Sequence, residues 1–206
     1  MKQKFYIDLH KGLTSIYVLS LIFFFCAWEN TNIFIYLALH GSYGILWILK
    51  SYIYPDRQWE SKCSILYGLF IWMGLSLYWI SPYIIITQNI QSSNWYLALC
   101  IMIYIIGLFL HFTSDMQKFI QLKYNPNMLI KNIMFSRLRN MNYLGELLIY
   151  LGFSLLAMHW IPIAALSVFI ICIWIPNMIK KDKSLSRYDD FDEYKKKSYS
   201  FLPFLW

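Results

Sequence analysis

Six apolar runs, each close to the length that crosses a lipid bilayer, constrain the fold of this chain more than any other feature. They cover roughly residues 12–28, 32–50, 64–87, 95–114, 142–158 and 160–179. A helix needs about 20 apolar residues to span the hydrocarbon core. Backbone amides in lipid must be satisfied within their own segment, so each run is predicted to be a helix. The sequence therefore predicts an all-α polytopic membrane bundle with six transmembrane helices.

The composition excludes an ordinary soluble domain. Hydrophobic residues make up 59% of the 206 residues and charged residues only 14%, whereas about 25% of the residues in soluble domains are charged. The chain is therefore predicted to be an integral membrane protein. The pattern is equally typical of the endoplasmic reticulum, the bacterial inner membrane and the mitochondrial inner membrane.

Positive charge is confined to alternate loops. All 18 Lys and Arg residues lie before the first run, between the second and third, between the fourth and fifth, or after the sixth. Because basic loops stay on the cytoplasmic side, both termini are predicted to face the cytoplasm, or the matrix in a mitochondrion. The net charge of +7 suits this topology and attraction to anionic lipids. Nucleic acid is not an expected partner, since no soluble reader domain accompanies the basic residues.

The sequence indicates a single membrane domain over residues 1–206. The longest loop, predicted at 115–141, is too short to form a core of its own. The four cysteines are scattered without a C-x-x-C pair, so neither a disulfide framework nor a metal site is predicted. The N-terminus lacks the cleavage site of a signal peptide, and the first run is predicted to be a retained helix. Residues 201–206 are predicted to return to the membrane surface.

Polar side chains align along one face of the second run. Tyr36, His40, Tyr43, Trp47 and Lys50 follow helical spacing. Such a stripe lines a pocket in one interpretation. In the other, the aromatic rings fill helix contacts, His40 bonds a neighbouring helix and Lys50 extends to the membrane surface.

A carboxylate, Asp115, lies at the inner end of the fourth run. Charged groups in this setting are rare unless they are paired. Lys118 follows one turn later and is a candidate for an ordinary ion pair. Alternatively, Asp115 orients a cofactor or a basic residue of the next helix, and the spacing fits both interpretations.

The fifth run opens with the densest polar cluster of the chain. Asn142 and Glu146 are four residues apart on one helical face, and Gly145 opens a groove beside them. A buried Glu requires a positive partner, a network of donors or a proton. A structural salt bridge with Arg137, Arg139 or one of the C-terminal lysines is therefore the alternative to a catalytic role for Glu146.

These residues resemble a known family. The motif Asn142-Tyr143-x-Gly145-Glu146, preceded by Arg139-Asn140, is similar to the signature of the steroid 5-alpha-reductase C-terminal domain family, in its uncharacterised bacterial and protist branch. The tail from Pro176 to Pro203 and the pair Ser114-Asp115 follow the same pattern. The likeness is dense from about residue 107 to the end. This family is distantly related to the isoprenylcysteine carboxyl methyltransferases.

The resemblance implies a helical bundle that binds NADPH and reduces an activated double bond in a steroid-like or enone-like lipid. It implies cofactor-binding roles for Asp115, Arg137, Arg139, Asn142, Tyr143, Lys181, Asp182, Arg187, Tyr194 and Lys197. An enone accepts hydride as its carbonyl oxygen gains charge, so a donor must stabilise that oxygen. Tyr43 and Glu146 are the predicted catalytic residues.

Departures from the family pattern support a second hypothesis. Met141 stands where relatives often have Pro, and His111 replaces an Asn expected near the cofactor. Several expected Arg positions are Lys or neutral, and Lys is a poorer bidentate phosphate clamp than Arg. The chain would then be a non-catalytic accessory subunit that retains the fold inside a larger membrane complex, such as a respiratory one.

A third hypothesis is a methyltransferase of the isoprenylcysteine or phospholipid type, which would bind S-adenosylmethionine. Those enzymes usually carry a paired Glu-Glu in the tail, where this chain has Asp182 flanked by lysines. The expected partners are membrane lipids and a lipid substrate, with other membrane-protein subunits under the second hypothesis.

Overall fold

A computed structural model describes residues 1–203 of the chain, and within this range the regular secondary structure is helical. The α-helices are α1 (Gln3–Phe24), α2 (Thr31–Ile53), α3 (Ile65–Ser76), α4 (Ile80–Thr87), α5 (Asn94–Tyr124), α6 (Met141–Ser154), α7 (Trp160–Phe169), α8 (Ile175–Leu185) and α9 (Phe191–Lys197). Short 3-10 turns lie at Leu77–Trp79, Ile133–Phe135 and Leu155–Ala157, and a π turn lies at Ile170–Trp174. Of the predicted tail segment 201–206, residues 204–206 lie outside the described residues.

The helical membrane class predicted from the sequence is confirmed. Five helices are long and apolar enough to cross a membrane: Gln3–Phe24, Thr31–Ile53, Ile65–Thr87, Asn94–Tyr124 and Trp160–Leu185. The run predicted at 142–158 forms a shorter apolar helix, Met141–Ala157. Six crossings with both termini on the positive side therefore remain a prediction, and five spans are what helix length and composition support.

Two helices extend beyond their apolar runs. Helix α1 begins at Gln3 rather than near residue 12, and its buried side chains include His10 and Lys11. Helix α5 continues to Tyr124, so the first part of the predicted loop 115–141 is helical. A search for apolar runs ends where polar residues begin, although some of these residues, such as His10, Lys11 and Asp115, are buried.

The chain forms two compact units, which are described separately. The first unit contains residues 1–104 and 150–166. Here α1 packs along α2, and α3 and α4 complete the bundle. A Cβ at Gly44 would lie 3.2 Å from the carbonyl carbon of Lys11 and closer still to its oxygen. The missing side chain at Gly44 therefore lets the α2 backbone meet the α1 backbone at Lys11.

Side-chain caps define where two helices of the first unit begin. The Asn30 side chain accepts a hydrogen bond from the Ile33 amide at 3.1 Å at the start of α2. Ser64 accepts one from the Tyr67 amide at 3.2 Å at the start of α3. Each cap satisfies one amide that the helix itself leaves without an acceptor.

The second unit contains residues 105–149 and the chain from residue 167 onward. A Cβ at Gly145 on α6 would lie 2.7 Å from Cα of His111 on α5, and one at Gly107 would lie 2.8 Å from the carbonyl oxygen of Gly145. Small residues of this kind let two helix backbones approach closely in a membrane. The glycines therefore fix where α6 crosses α5.

We expect Gly145→Ala to destabilise the protein, because the added methyl group would meet backbone atoms that cannot move aside. Overpacking of this kind costs about 1–3 kcal/mol. Gly12→Ala is the matched control, since a Cβ there would lie 3.4 Å from Cδ1 of Ile48, an ordinary contact. Thermal unfolding in detergent compares the two variants, and equal melting temperatures would contradict the close crossing.

Candidate functional site

His111 and Asp115 form a buried polar pair on α5 in the second unit. Nε2 of His111 lies 3.7 Å from Oδ2 of Asp115, and their side chains are 3% and 6% exposed. Nδ1 of His111 lies 3.1 Å from the backbone oxygen of Asn142. A carbonyl oxygen only accepts hydrogen bonds, so Nδ1 carries the proton and Nε2 faces the carboxylate. The imidazole therefore donates to the first turn of α6, and its Nε2 lies next to the Asp115 carboxylate at a distance beyond a hydrogen bond.

Asn142 carries an acceptor with unused capacity. Its side-chain oxygen Oδ1 is buried and has no hydrogen-bond partner among residues 1–203. A buried polar atom without a partner costs about 1–3 kcal/mol. Such an atom suits a ligand that brings an N–H or O–H donor. Glu146 lies one turn further along α6 and is half-buried, and the Tyr143 ring lies 5.5 Å from that of Trp174.

Arg139 is held by protein groups on every side of its guanidinium. Nε and Nη2 donate to the two carboxylate oxygens of Asp182 at 3.2 and 3.0 Å. Nη1 donates to the backbone oxygen and Oγ of Ser198 at 2.7 and 3.1 Å. The residue is only 6% exposed. This two-point ion pair therefore fastens α8 and the tail to the segment before α6.

Lys181 also donates its hydrogen bonds to groups of the protein itself. Its Nζ donates to the backbone oxygen of Arg139 at 2.6 Å and to Oδ1 of Asn140 at 3.0 Å. The Asn140 amide in turn donates to the backbone oxygen of Ser200 at 2.9 Å. Two cations that the resemblance assigns to a cofactor are thus bonded to the protein's own backbone.

Tyr194 also serves the local packing. Its hydroxyl donates to the backbone oxygen of Phe135, and the ring is buried. Burial raises the pKa of Tyr194 to about 12, so the hydroxyl keeps its proton at physiological pH and remains a donor.

The other predicted cofactor cations lie at the surface of the second unit. Arg137, Arg187 and Lys197 are exposed. Arg187 donates to the hydroxyl of Tyr188 at 3.1 Å, and Lys197 pairs with Glu193 on the same helix. Exposed side chains such as these can turn toward an anion at little cost, unlike Arg139.

In the first unit, Tyr43 belongs to a cage around a buried ammonium group. Nζ of Lys11 lies 4.1 Å from the centroid of the Tyr43 ring, 5.0 Å from that of Tyr150 and 5.5 Å from that of Trp47. It also donates to the Tyr150 hydroxyl at 2.9 Å. Lys11 is 2% exposed. Aromatic faces attract a desolvated cation, so the cage holds this charge inside the membrane-spanning bundle.

The stripe predicted on α2 faces the interior of this unit along its whole length. Tyr36, His40, Tyr43, Trp47 and Lys50 are all buried. The Tyr36 hydroxyl lies 3.0 Å from the backbone oxygen of Tyr78 and 2.7 Å from Nδ1 of His40. The single phenolic proton goes to the carbonyl, so Nδ1 of His40 must donate to the Tyr36 oxygen.

The sequence reasoning missed Lys11 as a site residue, because a lysine just before an apolar run usually marks topology. A weak signal was present. Ile7, Lys11, Thr14 and Val18 recur at helical spacing and all four are buried. A lysine inside the apolar stripe of its helix is therefore an interior residue rather than a flanking one.

The structure does not gather metal ligands in the described range. No group of three His, Cys, Asp or Glu side chains within residues 1–203 could hold an ion. The four cysteines are free thiols at Cys26, Cys63, Cys100 and Cys172.

Comparison with known proteins gives one family. A family model described as a protein of unknown function (DUF1295) matches residues 50–198. The match begins well before residue 107, where the motif resemblance becomes dense, and it ends just before Tyr199. No curated protein and no solved structure matches the chain.

We expect Arg139→Lys to loosen the tail, because an ammonium group cannot contact both oxygens of Asp182 and the Ser198 carbonyl together. Loss of one partner of a buried ion pair costs about 3–5 kcal/mol. Arg139→Lys keeps the positive charge, so its cost in unfolding free energy should be smaller than that. The measurement is the rate of tryptic cleavage at Lys195–Lys197 in detergent. Lys131→Gln, which removes an exposed ion pair with Asp190 outside the cleavage site, is the control and should cleave at the parent rate.

Proposed function

This chain belongs to the DUF1295 family of proteins of unknown function, a family associated with steroid 5-alpha-reductase-like proteins, and from that membership we propose that it is an NAD(P)H-dependent reductase. Its substrate would be a membrane lipid with an activated carbon–carbon double bond. One observation carries the proposal beyond the resemblance: a buried ammonium group donates to a phenol inside the bundle.

The Lys11–Tyr150 pair has the chemistry of a proton donor. Reduction of an enone adds hydride to the β-carbon, moves electron density to the carbonyl oxygen and then requires a proton. An ammonium group that donates to the Tyr150 oxygen at 2.9 Å would stabilise the phenolate that remains after Tyr150 gives up its proton. The Tyr150 ring is stacked on Tyr78 at 4.1 Å, which fixes its orientation.

Tyr43 keeps a role in this proposal. Its ring meets that of Tyr150 edge to face at 5.8 Å, and it carries the closest aromatic face to the Lys11 ammonium. Tyr43 would position the ammonium group, and Tyr150 would supply the proton. The sequence-based assignment of Tyr43 as the donor is the competing version, and substitution of each phenol separates the two.

The second unit would hold the cofactor, which supplies a hydride when bound. The orphan Oδ1 of Asn142 fits a carboxamide donor such as that of a nicotinamide. Exposed Arg137, Arg187 and Lys197 would approach phosphates. In this proposal Arg139, Lys181 and Asp182 shape the protein around the site, since their hydrogen bonds are made internally.

Asp115, Tyr143, Tyr194 and Glu146 complete the proposed cofactor side. Asp115 would hold His111 against the start of α6, because the two side chains are buried together. Glu146 shares a helical face with Asn142 and would orient it or the ligand. Tyr143 and Tyr194 would support the segments that carry Asn142 and the tail.

The accessory-subunit hypothesis has one specific observation in its favour. Arg139 and Lys181, the two cations nearest to the family motif, donate to protein oxygens rather than presenting free donors. A subunit that keeps the fold only for assembly would need these internal hydrogen bonds and would need no cation free to bind a cofactor. A methyltransferase activity has no comparable support in the geometry.

We expect purified protein to bind NADPH saturably, with binding at least about tenfold weaker in Asn142→Ala because one charge-neutral hydrogen-bond partner is lost. Fluorescence titration of NADPH in detergent measures it. Asn125→Ala, an exposed amide in the same unit, is the control. Thermal-shift measurements with NADPH, with S-adenosylmethionine and without ligand distinguish the three hypotheses. A protein of normal stability that responds to neither NADPH nor S-adenosylmethionine would rule out the reductase.

We expect Tyr150→Phe to lower turnover of a membrane-soluble α,β-unsaturated ketone by about 10²- to 10⁴-fold, the usual contribution of a positioned acid, with NADPH affinity unchanged. Lys11→Met should act in the same direction. Tyr43→Phe keeps the ring face and should have the smaller effect. If Tyr43→Phe instead abolishes turnover while Tyr150→Phe does not, Tyr43 is the donor.

A further inference from the structure

The segment between α5 and α6 in the second unit holds an isoleucine in a strained backbone conformation. Ile133 has a φ of 53°, in the left-handed region that glycine and asparagine enter easily and that β-branched residues rarely adopt. Strain of this kind persists only where the surrounding structure enforces it. The Ile133 side chain is also 76% exposed, so the protein itself gives the side chain little packing in return.

Hydrogen bonds on both sides of Ile133 enforce this conformation. Nε2 of Gln117 on α5 donates to the backbone oxygen of Asn132 at 2.8 Å, and Oε1 of Gln117 accepts from the Met134 amide at 3.1 Å. The Ser136 hydroxyl donates to the backbone oxygen of Ile133 at 2.8 Å. A glycine or an asparagine would adopt the same backbone conformation at lower cost. The apolar side chain at this position is therefore the feature that needs a physical reason.

Gln117 lies on the lipid-facing side of α5. Phe109 and Ile120 are exposed apolar side chains of this membrane-spanning helix, and helical spacing places Gln117 between them on the same face. Gln117 also follows the buried Asp115 by two residues, close to the end of the apolar run. Its hydrogen bonds therefore hold Ile133 beside the lipid-facing side of α5, at the level where this helix leaves the hydrocarbon core.

The residues that precede Ile133 have the composition of a membrane interface. Tyr124 at the end of α5 and Met128 in the following loop are 69% and 64% exposed. Nζ of Lys123 lies 5.3 Å from the centroid of the Tyr124 ring, and Lys123 is exposed. Tyrosine is enriched at the level of the lipid headgroups, and lysine extends from there toward phosphate and water. Exposed apolar side chains beside a basic residue therefore match acyl chains beneath anionic headgroups.

We propose that residues 124–133 form an interfacial loop that binds the lipid surface, with the Ile133 side chain inserted between the headgroups and the acyl chains. Tyr124 and Met128 would lie at the same depth, and Lys123 would face lipid phosphates. Transfer of the Ile133 side chain from water to lipid would then offset the backbone strain. This inference does not depend on the reductase proposal, because the interfacial loop contains none of the groups assigned to the cofactor or to proton transfer.

The first test measures the depth of Ile133 in nanodiscs of phosphatidylcholine and phosphatidylglycerol. A nitroxide label is attached to Ile133→Cys after the four native cysteines are replaced, and its collisions with oxygen, which concentrates in lipid, are compared with those of a water-soluble nickel chelate. The label should favour oxygen, as a label on exposed Ile106 of α5 should, whereas one on exposed Lys196 should favour nickel. A preference for nickel at residue 133 would overturn the proposal. Protection from both would also overturn it and give this surface to a protein partner.

A second test keeps the native cysteines. Ile133→Asn removes the apolar side chain, and asparagine tolerates the left-handed backbone, so a purely structural role predicts a loop that is at least as well ordered. Insertion in lipid predicts the opposite: trypsin should cleave at Lys131 several-fold faster in Ile133→Asn than in the parent protein in the same nanodiscs. Ile133→Leu keeps an apolar side chain and should cleave at the parent rate. Equal cleavage of all three proteins would contradict the proposal, and nucleotide binding is scored separately from it.

Discussion

A charge that is buried in a membrane protein must find its partners inside the protein, because lipid offers none. That constraint organises both units. In the first unit, the Lys11 ammonium is enclosed by aromatic rings and the Tyr150 hydroxyl. In the second, Arg139 is matched by Asp182 and the Ser198 carbonyl. The two arrangements have different consequences. In the cage, the Tyr150 phenol accepts a hydrogen bond from the Lys11 ammonium group. In the ion pair, the Arg139 donors are used by Asp182 and Ser198.

This contrast separates two meanings of a basic residue near a membrane. Lys181 and Arg139 look like phosphate ligands in the sequence, yet their donors go to backbone oxygens of the tail and of the segment before α6. Arg137, Arg187 and Lys197 are instead exposed at the surface. Any anion recognised by the second unit would therefore be bound by the exposed cations at the surface, and specificity for the rest of the ligand would come from groups such as the buried Oδ1 of Asn142.

The helical membrane class was predictable from the sequence, because an apolar run of bilayer length has no other stable form. The caps at Asn30 and Ser64 are also local features, because Asn and Ser are preferred at the start of a helix. The burial of Lys11 was not predictable from the run lengths, since its place depends on α2 approaching at Gly44. Likewise, the pairing of Arg139 with Asp182 joins residues 43 positions apart, and no helical spacing relates them. The site predictions at Asn142 and Glu146 rest on local spacing and family resemblance.

The bridge between the tail and the segment before α6 also sets an order of events during synthesis. The Asn140 amide is completed by Ser200, which the ribosome adds 60 residues later. The segments that form α6, α7 and α8 are therefore synthesised before the tail acceptors of Arg139 and Asn140. A chain that ends before residue 198 would lack the Ser198 and Ser200 acceptors of Arg139 Nη1 and of the Asn140 amide, and these exposed donors are what quality control would recognise.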